Sequence, residues 1–271
     1  MNLLTDPLFR VETETGMEYL SLPALFAKLG KNEARHLVGL QRHQYDAFHV
    51  FLCYLAGAVL ARDGSSDPMQ NGDFWREGLL RLAGSAGYDA WQLVSADDSK
   101  PAFMQAPLSG DKRKPSSTMT TPDQLDLLLT AKNHDLKQAR AAAAEVDTWL
   151  YALISLQTMS GFCGSGNQGI SRMNRGYGSR AVAELSRDRR LGQRWIDAVD
   201  RLLEHRKRIL KQPFGYDPEG LVLVWLEPWD GNIPLELAEL DPFYVEICRR
   251  IRLRGNGRVD YADFYPSRQP R

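Results

Sequence analysis

Residues 159–180 read MSGFCGSGNQGISRMNRGYGSR, and this glycine-rich segment sets the chain apart from an ordinary globular sequence. It holds six glycines, and the amide and arginine side chains between them are not interrupted by any acidic residue. Because glycine has no Cβ, it takes positive φ readily and lets the backbone approach a ligand closely, although ordering it on folding is costly. The segment therefore predicts a loop that contacts a polyanion, with a tight turn between packed elements as the alternative.

The sequence around the glycine-rich segment predicts a mixed α+β fold. Residues 8–13 and 17–20 alternate around Thr15-Gly16, which is typical of a β-hairpin, and Ser21 with Pro23 then favours a helix start. We expect one globular domain over residues 1–271, with an N-terminal β-hairpin, several helices and a small antiparallel sheet. Apolar periodicity places the further helices at about 45–61, 73–83, 138–159 and 187–211, a buried strand at 221–226, and a half-buried strand that includes Val245, Ile247, Ile251 and Leu253.

Composition and cysteine usage predict a cytoplasmic globular protein. The chain has 271 residues and a 43% hydrophobic content, which is ordinary for a protein with a sizeable core. Its three cysteines, Cys53, Cys163 and Cys248, are far apart, so neither a disulfide framework nor a zinc knuckle is expected. The N-terminus carries no export pattern, and the apolar stretch 45–61 is interrupted by polar residues, which favours a buried core helix over a membrane span.

The charges are unevenly distributed along a chain whose net charge is zero. Residues 172–211 hold twelve basic and five acidic residues, and residues 249–271 hold seven arginines and two acidic residues. This asymmetry predicts one surface that faces phosphates. The alternative is that the arginines of 187–208 form the solvated face of a helix.

No catalytic constellation emerges from the sequence. The glycine-rich segment lacks the GK[ST] of a phosphate-binding loop, and a predicted helix rather than a strand precedes it, unlike a dinucleotide fingerprint. His134 and Asp135 have no recognisable nucleophile or metal partner, and Cys163 has no basic partner fixed by the sequence. We expect a protein that is not an enzyme and that holds no metal or cofactor.

Four stretches, read in order, resemble a known family. They are NLLTDPLFRVETETGMEYLSLPALF (2–26), PAFMQ (101–105), GFCGSGNQGISRMNRGYGSR (161–180), and GLVLVWLEPWDG (220–231) followed by FYVEICRRIRL (243–253). The chain is similar along essentially its whole length to the CasA family, the large subunit of Cascade, the type I-E CRISPR surveillance complex.

The resemblance implies a noncatalytic role in CRISPR interference. It implies a subunit at the foot of a CRISPR RNA complex that inspects double-stranded DNA for the protospacer-adjacent motif (PAM), helps to open the duplex and recruits the helicase-nuclease. The implied partners are CRISPR RNA, target double-stranded DNA, the backbone, handle-binding and small subunits of Cascade, and the helicase-nuclease, with no membrane. The alternative from a different class is a standalone RNA-binding protein that uses the basic helix through Arg187, Arg189, Arg190 and Arg194.

The resemblance also implies site residues. A family loop that approaches the minor groove corresponds to the glycine-rich segment, and the narrow groove, about 6 Å wide, suits a thin backbone with amide side chains. A second loop, which contacts the RNA handle and neighbouring subunits, is similar in position to Lys132, Asn133, His134, Asp135, Leu136 and Lys137. The DNA-binding candidates are Gly164, Ser165, Gly166, Asn167, Gln168, Ser171, Arg172, Asn174 and Arg175.

The chain departs from the family pattern in two respects. Family members continue into a wedge hairpin, a lysine that reaches the motif and a C-terminal helical bundle, whereas this sequence stops at Arg271, so we expect a truncated or compact form without the bundle. Arg172, Arg175 and Arg180 add phosphate affinity, which predicts salt-sensitive binding. Trp225 and Trp229 are expected in the core rather than stacked on bases.

Overall fold

The N-terminal part of the chain forms a small antiparallel sheet. The computed structural model describes residues 1–108, 114–126, 145–160, 167–171, 186, 188 and 190–267. Strands β1 (Phe9–Thr13), β2 (Gly16–Leu20) and β3 (Ala34–Leu37) lie in the order β2-β1-β3. β1 and β2 pair in register from Phe9 opposite Leu20 to Thr13 opposite Gly16, and Gly16 takes a φ of 126° at the turn. The predicted hairpin is therefore confirmed.

Six α-helices lie in the described part of the chain. Three of them begin and end close to the predicted helices 45–61, 73–83 and 187–211, because apolar periodicity and glycine or proline punctuation are local signals, whereas the short helix Pro122–Leu125 was not predicted. Ser21 precedes the first helix as predicted, but its side chain makes no capping hydrogen bond. Of the predicted helix over 138–159, the structure describes a helix from Val146 to Met159, and Glu145 before it has an extended backbone. The helices are α1 (Leu22–Gly30), α2 (Arg42–Asp63), α3 (Gly72–Ala83), α4 (Pro122–Leu125), α5 (Val146–Met159) and α6 (Leu191–Ile209).

Five further strands form two small sheets. β4 (Ser117–Met119), β8 (Tyr261–Tyr265) and β7 (Arg250–Arg254) are antiparallel in the order β4-β8-β7, whereas β5 (Leu221–Leu223) and β6 (Leu240–Val245) pair in parallel. The hairpin, helices and antiparallel sheets make the fold α+β, as predicted. The predicted strand 221–226 is shorter than expected, because a one-turn 3₁₀-helix, Val224–Leu226, follows β5.

The predicted half-buried strand over 245–253 is wrong in two respects. It is interrupted between β6 and β7, and β7 is buried on both faces. Arg252 is fully buried and Arg250 is only 3% exposed. The neighbouring apolar residues Ile251 and Leu253 are buried as well. The alternating pattern suggested that arginine faces water, but here the guanidinium groups find hydrogen-bond acceptors inside the protein.

The core is centred on α2, which packs against α3, α5, α6 and β6. By length and composition α2 could cross a membrane, but 72% of its most apolar window is buried inside the protein. Its interior position explains this composition, as predicted for the apolar stretch 45–61. Trp225 and Trp229 are also buried, and the indole Nε1 of Trp225 donates to the Ala90 carbonyl at 3.0 Å, so both belong to the core as expected.

Candidate nucleic-acid interface

Helix α5 carries the chain into the glycine-rich segment from a fixed position. Near its C-terminal end, Gln157 is fully buried. Its amide Nε2 donates to the carbonyls of Met104 (2.8 Å) and Arg249 (2.9 Å), and its Oε1 accepts from the Arg249 N–H at 2.8 Å. This glutamine satisfies three backbone groups from two distant stretches, so the end of α5 is tied to both PAFMQ and the approach to β7.

Residues 167–171, which we call the central anchor, bind the middle of the segment to the core. Ile170 donates its N–H to the Ile247 carbonyl at 3.0 Å, and its own carbonyl accepts from Leu235 at 2.9 Å. The Asn167 carbonyl accepts from Arg249 Nη1 at 2.9 Å. On the other side, Asn167 forms a parallel bridge with Ser267, whose Oγ donates to the Gln168 carbonyl at 2.5 Å. The central anchor is therefore held by hydrogen bonds to several separate parts of the chain.

A buried carboxylate fixes the C-terminal end of the central anchor. Glu246 is 2% exposed, and it accepts the Ser171 N–H at 3.0 Å through Oε1 and the Ser171 hydroxyl through Oε2. Burying a carboxylate is tolerable when its oxygens accept such hydrogen bonds, and breaking them leaves a costly buried charge. Glu246 thus fixes the position of Ser171 through two hydrogen bonds.

The two ends of the stretch between α5 and the central anchor meet at neighbouring residues. The Gln157 carbonyl accepts from the Cys248 N–H at 3.1 Å, and the Ile170 N–H donates to the adjacent Ile247 carbonyl. Gln157 and Ile170 are consequently held next to each other by adjacent residues of the core. Closing the base in advance removes part of the entropy that binding would otherwise cost.

The structure gives different positions to the predicted DNA-binding residues. Asn167 is partly exposed, whereas the side chains of Gln168 (3% exposed) and Ser171 (7% exposed) are packed inside the central anchor. The segment is therefore not one continuous exposed ribbon: the Ser171 hydroxyl binds Glu246, and Gln168 is held through its backbone carbonyl, which accepts from Ser267. The other DNA-binding candidates of this segment lie outside the described residues; they are Gly164, Ser165, Gly166, Arg172, Asn174 and Arg175.

The second predicted loop begins from a fixed point. The residues predicted for this loop lie outside the described residues; they are Lys132, Asn133, His134, Asp135, Leu136 and Lys137. The last described residue before them is Asp126, which is buried and accepts hydrogen bonds from His43 Nε2 (2.8 Å) and Gln44 Nε2 (2.5 Å). The N-terminal end of α2 thus determines where this stretch leaves the core.

The arginines of 249–254 do not form the predicted phosphate-facing surface. Arg252 donates to the carbonyls of Lys100, Gln105 and Asp97 at 3.0–3.2 Å, and burial lowers its pKa. Arg254 donates to both oxygens of Asp98, and this hydrogen bonding raises its pKa. Counting charge along the sequence missed this role, although the apolar neighbours Ile251 and Leu253 on either side of Arg252 are a signal of burial.

The arginines of α6 are mostly paired along its N-terminal half. Arg190 pairs with Asp188 (2.7 Å), Arg194 with Asp46 (3.3 Å) and Arg201 with Glu204 (2.7 Å). Leu191, Trp195 and Val199 make the opposite, buried face of the helix. Arg187 and Arg189 lie outside the described residues. The basic helix is thus an amphipathic surface helix whose charge is partly neutralised.

The described residues contain no group of three or more His, Cys, Asp or Glu side chains suited to a metal. Cys53 and Cys248 are free and buried, and Cys163 lies outside the described residues. Around the central anchor, the residues that the structure describes offer hydrogen-bonding groups and charged side chains.

Comparison with known proteins identifies solved structures with a fold similar to that of this chain. No protein-family model matches the chain, and no curated protein matches its sequence. Among solved structures, it is similar to Cse1 of Thermobifida fusca (TM-score 0.59, 17% identity, 100% of this chain and 52% of that chain). It is also similar to CasA (Cse1) of Thermus thermophilus (0.53, 17%, 100% and 55%) and Cse1 of Acidimicrobium ferrooxidans (0.50, 14%, 99% and 52%). The chain has the fold of a Cse1 part and spans about half the length of these structures.

Proposed function

We propose that this chain is a noncatalytic large subunit of a cytoplasmic, RNA-guided CRISPR complex of the Cascade type. The fold similarity to Cse1 chains supports this proposal, as do the four sequence stretches that resemble the CasA family. In that role the chain works with CRISPR RNA, the other Cascade subunits and target double-stranded DNA. Recruitment of the helicase-nuclease belongs to the same proposal.

The single observation that carries the proposal is the closed base of the glycine-rich segment. Gln157 and Ile170 bind the neighbouring residues Cys248 and Ile247, and Glu246 binds Ser171. A glycine-rich backbone that serves only as a tight turn does not need hydrogen bonds to the core at all three of Gln157, Ile170 and Ser171. A backbone that must present peptide groups to DNA gains from a rigid base, because it then loses less conformational entropy on binding.

The proposed contact is PAM recognition in the minor groove. Gly164, Ser165 and Gly166 can bring peptide groups to the groove floor, and the partly exposed Asn167 can add its side-chain amide. Arg172 and Arg175 would bind phosphates. Gln168 and Ser171 act in this proposal by positioning the loop, since both side chains are buried. Opening of the duplex would follow from the bend that such a contact imposes.

The second loop contributes the proposed RNA or subunit contact. Lys132, Asn133, His134 and Lys137 follow Asp126, whose position is set by His43 and Gln44. Two cations and two hydrogen-bonding side chains in so short a stretch suit an RNA phosphate backbone.

The alternative of a standalone RNA-binding helix has less support. It relied on Arg187, Arg189, Arg190 and Arg194, but Arg190 and Arg194 each hold a carboxylate. An RNA phosphate would have to displace those carboxylates. We therefore favour the complex subunit.

Purification of the tagged chain from its native host, followed by RNA sequencing and mass spectrometry, tests the proposal. We expect a repeat-derived guide RNA and several companion subunits at fixed stoichiometry. A matched tagged chain with Asp126→Ala, which releases the start of the second loop, should recover less guide RNA at equal expression. Recovery of the chain alone, or with unrelated RNAs, would contradict the proposal.

A further inference from the structure

Basic and aromatic residues follow one another closely along the chain where α6 ends, and most of them are exposed. Lys207 and Arg208 are exposed in its last turn, and Lys211 is exposed just beyond Ile209. Phe214 follows and is 54% exposed, and Tyr216 lies beside it. We call Lys207, Arg208, Lys211, Phe214 and Tyr216 the basic-aromatic surface.

The cations of this surface differ from those earlier in α6 in how they pair with carboxylates. Arg201 pairs with Glu204, and Arg206 pairs with Asp241 at 2.5 Å. Within the part of the chain that the structure describes, Lys207, Arg208 and Lys211 pair with no carboxylate. Cations at a helix C-terminus are favoured by the helix dipole, which accounts for part of their presence. The dipole does not account for an exposed phenylalanine next to them.

The aromatic side chains form a row that runs outward from the core. Tyr244 is almost fully buried, Tyr216 is partly exposed and Phe214 is the most exposed. The ring centroids of Tyr244 and Tyr216 are 6.4 Å apart, and those of Tyr216 and Phe214 are also 6.4 Å apart. Gly215 between Phe214 and Tyr216 has a φ of 79°, a conformation that side chains rarely adopt, so glycine permits this turn.

The segment that carries the aromatic row is held by hydrogen bonds at Pro218 and Gly220, which follow Tyr216 in the chain. Arg206 Nη2 donates to the Pro218 carbonyl at 2.9 Å, and Arg62 Nη2 donates to the Gly220 carbonyl at 2.6 Å. Both arginines also contact the fully buried carboxylate of Asp241. The Phe214 ring is therefore presented from a supported turn, and little order has to be gained on binding.

We propose that the basic-aromatic surface binds single-stranded nucleic acid, with Lys207, Arg208 and Lys211 on phosphates and Phe214 stacked on a base. Cations that track a backbone, combined with aromatic rings on which bases stack, are what sequence-tolerant single-strand binding requires. An acidic peptide without aromatic residues would satisfy the cations but offers no flat face to the ring. The inference goes beyond the proposed function and does not depend on it, because it concerns a surface that the proposed DNA and RNA contacts do not include.

Fluorescence anisotropy with the purified 271-residue chain tests this inference, using labelled dT and U strands of about 12 nucleotides. Phe214→Ala should weaken binding about tenfold, because one stacked base is lost, and Phe214→Trp should retain it. The triple variant Lys207→Gln, Arg208→Gln, Lys211→Gln should reduce the slope of log affinity against log salt by about 2, since each phosphate of a single strand contributes about 0.7.

Two matched variants serve as controls, and all variants are checked for an unchanged melting temperature. Tyr88→Ala removes another exposed aromatic side chain, and Arg201→Gln removes a paired cation of the same helix, so both should bind like wild type. Binding of either strand by this pattern supports the proposal, and the tighter strand identifies DNA or RNA as the source. The proposal is overturned if the wild-type chain binds neither strand, or if Phe214→Ala binds as tightly as wild type.

Discussion

Two arginine-rich regions look alike in the sequence and differ completely in the structure. In and just before β7, Arg249, Arg250 and Arg252 are at most 3% exposed. Along α6, Arg201 and Arg208 lie on the exposed face of the helix. Local net charge therefore does not identify a phosphate-binding surface, because it does not tell which guanidinium groups reach solvent.

The difference arises from what surrounds each arginine. The guanidinium of Arg252 lies among backbone carbonyls and close to Asp98, so its charge is satisfied inside the protein. On α6 the apolar positions 191, 195 and 199 recur every fourth residue, which leaves the cations on the opposite side. The period of apolar residues decides exposure, whereas the number of cations does not.

The largest expected effect is loss of stability on substituting the buried arginine. Arg252→Met should lower the free energy of unfolding by about 3–5 kcal/mol, because three backbone carbonyls lose their donor and Asp98 loses one cation. Urea unfolding followed by circular dichroism measures this change. The matched change on α6, Arg201→Met, should cost less than about 0.5 kcal/mol. Equal losses in the two variants would remove the distinction between the regions.

A second expected effect concerns the central anchor, which lies against the residues before β7. Glu246→Ala removes the acceptor of the Ser171 N–H and hydroxyl and should destabilise the central anchor by about 1–3 kcal/mol. The readout is hydrogen exchange at the Ile170 amide, which should become faster, since its bond to the Ile247 carbonyl opens more often. Glu204→Ala on α6 is the control. Unchanged exchange at Ile170 in Glu246→Ala would show that the anchor is held without this carboxylate.

The sequence predicts those features whose causes are local. The hairpin follows from alternation around Thr15-Gly16, and α2, α3 and α6 follow from apolar periodicity, so their positions are close to those predicted. The end of the strand at Leu223 was missed, because a 3₁₀ turn there depends on how Trp225 packs.

The features of the candidate site that were not predicted are long-range. Ser171 meets Glu246, 75 residues away, and Gln157 meets Arg249, 92 residues away. No local pattern links such residues. The glycine content of 159–180 predicted a loop, but it could not show that the middle of that loop is pinned to the core through Ser171 and Gln168.

The smallest expected effect belongs to a surface pair of α6. Arg194→Gln removes an ion pair with the exposed Asp46 and a guanidinium 5.6 Å from the centre of the Tyr45 ring. The loss should be under about 1 kcal/mol and should shrink as salt is raised, because exposed charges are screened. Thermal melts at low and high salt measure both features. A loss as large as that of Arg252→Met, or one independent of salt, would place Arg194 with the buried arginines.

The affinity of the assembled complex for duplex DNA that carries a randomised motif tests the central claim most directly. Three forms are compared: wild type, Gly166→Asp in the glycine-rich segment, and the α6 variant Arg190→Gln, Arg194→Gln. Our account predicts that Gly166→Asp abolishes motif-dependent binding while the complex still assembles, and that the α6 variant keeps it. Motif-dependent binding that survives Gly166→Asp, or that is lost only in the α6 variant, would contradict the account.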